Sequence, residues 1–132
     1  MNRQSSAGRF GEELTANKLI ADGWTIAARN WHSRRGELDV VAVRGDTIAF
    51  VEVKTRAERS IVSGEQAVTH AKMVKIVRAA LDYIYQNGID VNETYLRFDI
   101  AEATVSRSDA LELRGFRYIE NAFSPADVGI YL

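Results

Sequence analysis

Gly36-Glu37-Leu38-Asp39-Val40-Val41-Ala42-Val43-Arg44-Gly45-Asp46-Thr47-Ile48-Ala49-Phe50-Val51-Glu52-Val53-Lys54-Thr55 is the stretch that decides how this chain folds. Two runs rich in β-branched and apolar residues flank Gly45-Asp46. Glycine at the first central position of a two-residue turn signals a type II′ hairpin. Such a turn sets Arg44 opposite Thr47, which carries Asp39 opposite Glu52 and Glu37 opposite Lys54. Side chains alternate faces along a strand, so these four charged residues share one face with Val41, Val43, Ile48 and Phe50. Leu38, Val40, Ala42, Ala49, Val51 and Val53 make the other face wholly apolar. Both faces are therefore expected to be covered, with the charges at the rim of a covered face. A solvated face of ordinary cross-strand ion pairs is the competing reading of the same residues.

Directly opposed Cβ atoms lie about 4.5–5.5 Å apart, so Asp39 and Glu52 can converge on one point, and opposed like charges repel. A divalent cation between them resolves the conflict, and oxygen-only ligands favour Mg²⁺ or Mn²⁺. Such an ion can position a water, lower its pKa and neutralise a phosphate. Lys54, one step along the same face, offers a compact cationic donor to that water or to a phosphate oxygen.

Outward from the hairpin, residues 11–22 read as a helix ending at Gly23, 24–31 as a strand, and His32-Ser33-Arg34-Arg35-Gly36 as a basic loop. After the hairpin, 57–63 read as loop and 65–86 as a long helix, with Val74, Val77, Leu81 and Ile84 on its apolar face. Strands are expected over 95–103 and 110–120. The order α-β-β-β-α-β-β fits an α/β sandwich with a mixed sheet and a helical crossover.

The 132 residues correspond to one domain, and 46% hydrophobic with 27% charged residues is a globular mixture. No cysteine is present, which excludes disulfide scaffolds, zinc fingers, Fe–S clusters and thiol catalysis. A net charge of -1 excludes a uniformly basic coat protein but allows a local basic patch. No secretory signal or membrane-length apolar run is visible, so a cytoplasmic, membrane-free location is expected. The domain is expected over residues 8–123, with loose segments at 1–7 and 124–132.

Gly36-Glu37-Leu38-Asp39 followed by Glu52-Val53-Lys54 resembles the D…E-x-K motif of restriction-endonuclease-like, PD-(D/E)xK, nucleases. Gly11-Glu12-Glu13-Leu14, Asn30-Trp31, Phe50 through Arg56 and Asn121-Ala122-Phe123 extend the likeness, and together they resemble the YraN family of small bacterial proteins. The resemblance implies a three-layer sandwich with an α-β-β-β-α-β core, a mixed central sheet and flanking helices. It also implies Asp39 and Glu52 as metal-binding carboxylates, Lys54 as catalytic lysine, and the backbone carbonyl of Val53 as a further metal ligand. Glu12, rather than Glu13, would be an additional metal-side acid. A first-turn glutamate of this kind also stabilises the helix dipole, and both readings stand. Leu38 replaces the proline before the motif aspartate.

The implied activity is a Mg²⁺- or Mn²⁺-dependent endonuclease cutting DNA, with branched and single-stranded forms among the candidates. DNA is favoured over RNA as partner, and a homodimer would suit two-strand cleavage. The alternative is a non-catalytic nucleic-acid-binding module of the same fold acting in DNA repair or recombination. A third reading is an interaction protein with structural carboxylates. Arg34, Arg35, Arg56 and Lys72 are the candidate nucleic-acid contacts, Lys72 also matching a lysine typical of the family. Arg29, His32, Arg59, Lys75 and Arg78 are weaker ones, and Gln66 is read as a cap or solvent residue. His32 and His70 are read as surface or DNA-facing residues, and Trp24, Trp31 and Tyr95 as core residues in preference to base-stacking ones.

Overall fold

The computed structural model describes residues 5–58, 68–106 and 110–131. Helix α1 (Ser6–Ala21) is followed by strands β1 (Thr25–Ser33), β2 (Gly36–Arg44) and β3 (Thr47–Ala57), helix α2 (His70–Gln86), and strands β4 (Tyr95–Val105) and β5 (Leu113–Phe123). The five strands form one sheet in chain order. All neighbours pair antiparallel except β3 and β4, which run parallel because α2 carries the chain back across the sheet. An α/β three-layer arrangement with a mixed sheet results, as the sequence predicts.

Each face of the sheet carries one helix. Leu19 of α1 packs with Trp24, Val40, Ala42, Ala49, Val51 and Ala101. Ile76, Val77, Ala80, Tyr83 and Ile84 of α2 pack with Leu38, Val41, Ile48, Phe50, Phe98 and Phe123. An aromatic chain runs through this second layer: Trp31 meets Tyr83 at 5.2 Å, Phe50 meets Phe98 at 5.2 Å and Phe98 meets Phe123 at 5.4 Å between ring centroids. Phe50, in the α2-side core, is 1% exposed.

Several boundaries differ from expectation. α1 starts at Ser6, inside the segment expected to be loose, because the Ser5 hydroxyl accepts from Gly8 N at 3.0 Å and caps it. β1 runs through His32-Ser33, so the basic loop shrinks to a tight turn at Arg34-Arg35 between the paired residues Ser33 and Gly36. Residues 65–67 of the expected long helix lie outside the described residues, and Thr69 caps α2 by accepting from Lys72 N at 3.2 Å. β5 lies three residues further along than the predicted 110–120. Past it, Pro125–Val128 forms a 3-10 turn, and Val128 and Ile130 pack on the α2-side core, so this end is docked. Trp24 is buried and Trp31 packs against α2, as expected, whereas Tyr95 is 71% exposed.

Candidate functional site

Gly45 has φ of +60° and Asp46 does not share its positive φ, which is the pattern of the type II′ turn. From that turn the β2–β3 ladder runs through Arg44 with Thr47 to Val40 with Val51, and stops there. The expected pairs Asp39 with Glu52 and Glu37 with Lys54 are not formed as ladder pairs: beyond Val40 the two strands fork.

The fork has a local cause. Asn30 of β1 has φ of +51°, a left-handed conformation that asparagine tolerates better than most side chains. Arg29 pairs with Val40, which packs on the α1 side, and Trp31 pairs with Leu38, which packs on the α2 side. Residues two apart in a strand normally share a face. The alternation therefore slips by one at Asn30 and, across the pair, at Asp39. This corrects the expectation that Leu38 joins Val40 and Ala42. Asp39 sits at the slip, and its Oδ2 accepts a hydrogen bond from Val53 N at 2.9 Å. A side-chain carboxylate thus takes the place that a strand carbonyl would hold in an unbroken ladder.

The slip still brings Asp39 and Glu52 together. Their carboxyl groups lie close enough to interact electrostatically, and Lys72 Nζ of α2 lies 3.5 Å from Glu52 Oε2. Burial, then the charge of Asp39, raises the Glu52 carboxyl to about 8, with Lys72 pulling the other way. Burial likewise raises Asp39, opposed first by the hydrogen bond from Val53 and reinforced by the nearby Glu37. The pair therefore holds a proton more tightly than either carboxyl would in water.

Other expected site residues are placed differently. Val53 enters the site through its amide, and its implied carbonyl role remains an expectation. Lys54 follows Glu52 by two positions on β3, in register with Glu102 of β4. Among the described residues Lys54 makes no ion pair. Glu12 is 3% exposed on the sheet-facing side of α1 beside Thr15 and Ala16, as its spacing predicts. Arg29 reaches it at 4.0 Å and Glu13 at 3.7 Å. Among the described residues no three His, Asp or Glu side chains gather as a metal-binding group, so Glu12 does not join the Asp39–Glu52 pair.

Beside the pair, the Arg34-Arg35 turn and α2 enclose a groove of about 410 Å³, lined by His32, Arg34, Arg35, Glu37, Lys72 and Lys75 among others. Arg34 stands exposed at its rim. Arg35 is spent on structure: its Nη2 donates to Asp82 at 2.7 Å and to the Arg78 carbonyl at 3.4 Å, tying the turn to α2. His32 pairs with Glu37 at 3.4 Å. Arg56 lies 3.9 Å from Glu102. Arg59 and Gln66 lie outside the described residues. Asp82, which fixes Arg35, and Asn30, which creates the fork, have no role in the sequence reading. The only sequence signal for Asn30 is its place before Trp31 in the family-like pair.

The family described as Uncharacterised protein family UPF0102 matches residues 11–103, a span that includes most of α1, the fork, α2 and most of β4. This chain belongs to UPF0102. That family is the YraN family named by the resemblance. Among UPF0102 relatives, one in Parafrankia sp. (strain EAN1pec) is 40% identical over 106 residues, covering 80% of this chain and 88% of the relative. Another, in Bifidobacterium longum subsp. infantis, is 37% identical and covers 88% of this chain and 91% of its own. A third, in Chlorobaculum tepidum, is 34% identical over 131 residues and covers 98% of this chain and all of its own length. No helix among the described residues is long and apolar enough to cross a membrane.

Proposed function

We propose that the β2–β3 fork is the cation-binding centre of a metal-dependent nuclease acting on DNA, with the Arg34–Lys72–Lys75 groove receiving the phosphate backbone. The observation that supports this most is the close approach of the Asp39 and Glu52 carboxyl groups at the open end of the fork, Glu52 buried and Asp39 partly so, with Lys72 linking Glu52 to that groove. The donor set fits a hard divalent cation: two carboxyl groups that repel when both are ionised, an all-oxygen pair. A divalent cation bound there would supply charge neutralisation at a phosphate and a lowered pKa for a nearby water.

The chain's own residues have separable tasks. Val53 N fixes the Asp39 carboxylate. Lys72 holds Glu52 in place and offers its ammonium to a phosphate. Lys54 lies two positions beyond Glu52 on the same strand face, which supports a role in orienting a water or holding a phosphate oxygen. Arg34 and Lys75 line the approach. Glu12, which lies beside Arg29, stays outside this two-carboxylate centre. One observation favours the alternative, a non-catalytic binding module: Lys72 already supplies Glu52 with a counter-charge.

Titration of Mn²⁺ into the wild type, Asp39→Asn and Lys54→Ala, beside cleavage of junction, flap, single-stranded and duplex DNA, separates the two. The nuclease reading expects Mn²⁺ binding lost in Asp39→Asn with the fold intact. It also expects cleavage of at least one substrate, lost in Lys54→Ala while metal binding remains. DNA binding with no Mn²⁺ uptake, in the presence or absence of DNA, would overturn it in favour of the binding module.

A further inference from the structure

On the α1 side of the sheet, away from the fork, lies a second cavity of about 540 Å³. That volume is in the usual range for small-molecule sites, roughly 300–1,000 Å³. It opens between the C-terminal half of α1 and the β2, β4 and β5 strands, with Trp24, Phe116, Lys18, Arg44, Arg97 and Tyr118 among its walls. Arg44 belongs to the closed end of the β2–β3 hairpin, five positions along β2 from Asp39, so about 17 Å separates it from the fork along the strand.

The walls are built rather than incidental. Asp99 is fully buried, yet four donors converge on it. Arg97 Nε and Nη2 reach it at 3.1 and 2.9 Å, the Tyr118 hydroxyl donates at 2.5 Å and Asn121 N at 2.9 Å. Asn121 adopts φ of +51° to deliver its amide, and β5 bulges there. This network clamps Arg97 beneath the cavity, with its guanidinium 5.0 Å from the Trp24 ring centroid. The Arg44 guanidinium lies 4.5 Å from the same ring. Apolar residues of the same size often stabilise a core as well as a buried ion pair does, so such a network points to a constraint beyond stability.

The charges divide into spent and available ones. Arg97 is taken by Asp99 and by Glu120 at 3.1 Å. Arg44 gives Nη1 to the Asp22 carbonyl and carboxylate, which leaves its other guanidinium nitrogens. Among the described residues Lys18 has no carboxylate partner, and its ammonium sits 5.0 Å over the Phe116 ring. The Lys18 ammonium and the remaining donors of the Asp22-paired Arg44, beside an aromatic wall, make a complement for a planar ring carrying an anionic group. Guanidinium planes and aromatic faces both stack on such rings.

We propose that this cavity binds a small aromatic anion of nucleoside-monophosphate size, its ring against Phe116 and the Arg44–Trp24 stack and its anionic group toward Lys18 and Arg44. The site is independent of the fork. Adenosine 5′-monophosphate, adenosine, inorganic phosphate and phenylacetate serve as probes, titrated calorimetrically into the full chain and into Lys18→Glu, Arg44→Gln and Asp39→Asn. Lys18 is exposed, so its substitution leaves the fold intact, which a thermal melt verifies. Expected is binding of the monophosphate roughly tenfold or more tighter than adenosine or phosphate alone. Lys18→Glu should weaken it by a similar factor, and Asp39→Asn should leave it unchanged. Equal binding of phenylacetate supports the aromatic-anion class with a carboxylate source, and selective binding of the monophosphate supports a phosphate source. Phosphate binding as tightly as the monophosphate would overturn the proposal. So would loss of binding in Asp39→Asn but not in Lys18→Glu, or no binding of any probe.

Discussion

Two residues of β1 and β2, facing each other, decide the chemistry available at the fork. Asn30 holds φ of +51°, and Asp39 opposite it leaves the ladder to accept from Val53 N. Placing a β-branched residue in that left-handed position costs about 1–2 kcal/mol. Asn30→Val is therefore expected to lower the unfolding free energy from urea melts by that amount and to weaken Mn²⁺ uptake, whereas Asn30→Gly keeps both. A retained Mn²⁺ affinity in a destabilised Asn30→Val protein would separate the fork from the slip. Glu52 sets the pH response. Its carboxyl is raised from 4.5 to about 8 in the folded chain, so between those values the folded state binds the extra proton. Stability is full below about 4.5 and is lost as pH rises through about 8. Without divalent cation, Glu52→Gln should flatten the decline and be the more stable protein at pH 9, as melts across pH 5–9 would measure. A wild type that gains stability over that range would contradict the assignment. The convergence of Asp39 and Glu52 was legible from a two-residue turn and a period of two. Its actual geometry was not, because a single asparagine in a strand does not announce that it will take a positive φ.

At the scale of elements, two glycines seat the two helices. A methyl at Gly36, the first residue of β2, would stand 2.7 Å from the Lys75 carbonyl of α2. A methyl at Gly11 would overlap the Thr55 hydroxyl of β3 beneath α1. Backbone cannot yield as a side chain does, so Gly36→Ala should cost about 1–3 kcal/mol by overpacking. It should also displace Lys72 and Lys75 together, read as loss of DNA affinity greater than that of Lys75→Ala alone. Both glycines belong to the family-like motifs, but a glycine in a strand or helix run reads from sequence only as a weak spot. The face of α2 was similarly half-legible. Val77 and Ile84 are buried as expected, while Val74 and Leu81 are partly exposed and Ile76, Ala80 and Tyr83 take the core positions. Spacing alone selected a stripe about one position away, since the helix is apolar over a wide arc and the contact with Trp31 and Phe50 chooses within it.

Across the whole molecule, near-neutral composition conceals an uneven distribution. Lys72, Lys75 and Arg34 meet at one groove with Arg35, whose charge is spent on Asp82, while Arg44, Arg97 and Arg114 are held by carboxylates elsewhere. Duplex binding should therefore show a modest salt dependence, with a log–log slope near about −3, since each neutralised phosphate contributes about −0.9. Arg34→Ala and Lys75→Ala should each reduce the slope by about one. An unchanged slope in both variants would move the DNA surface elsewhere. Composition and element order were enough to read the α/β sandwich. They could not show which charges were already engaged, because Asp82 reaches Arg35, and Tyr118 and Asn121 reach Asp99, only through the tertiary fold.

The Asp99 clamp also bears on how the chain is made. Asp99 and Arg97 leave the ribosome before Tyr118 and Asn121, so for the last stretch of synthesis the carboxylate lacks two of its donors. Burying it then is costly, because an incompletely satisfied charge keeps little of its hydration. The nascent sheet should stay open at β4 until β5 emerges, making the C-terminal strand the latch of biogenesis. Protease protection of ribosome-bound chains ending before Tyr118, compared with released full-length chains, would show whether closure waits for it.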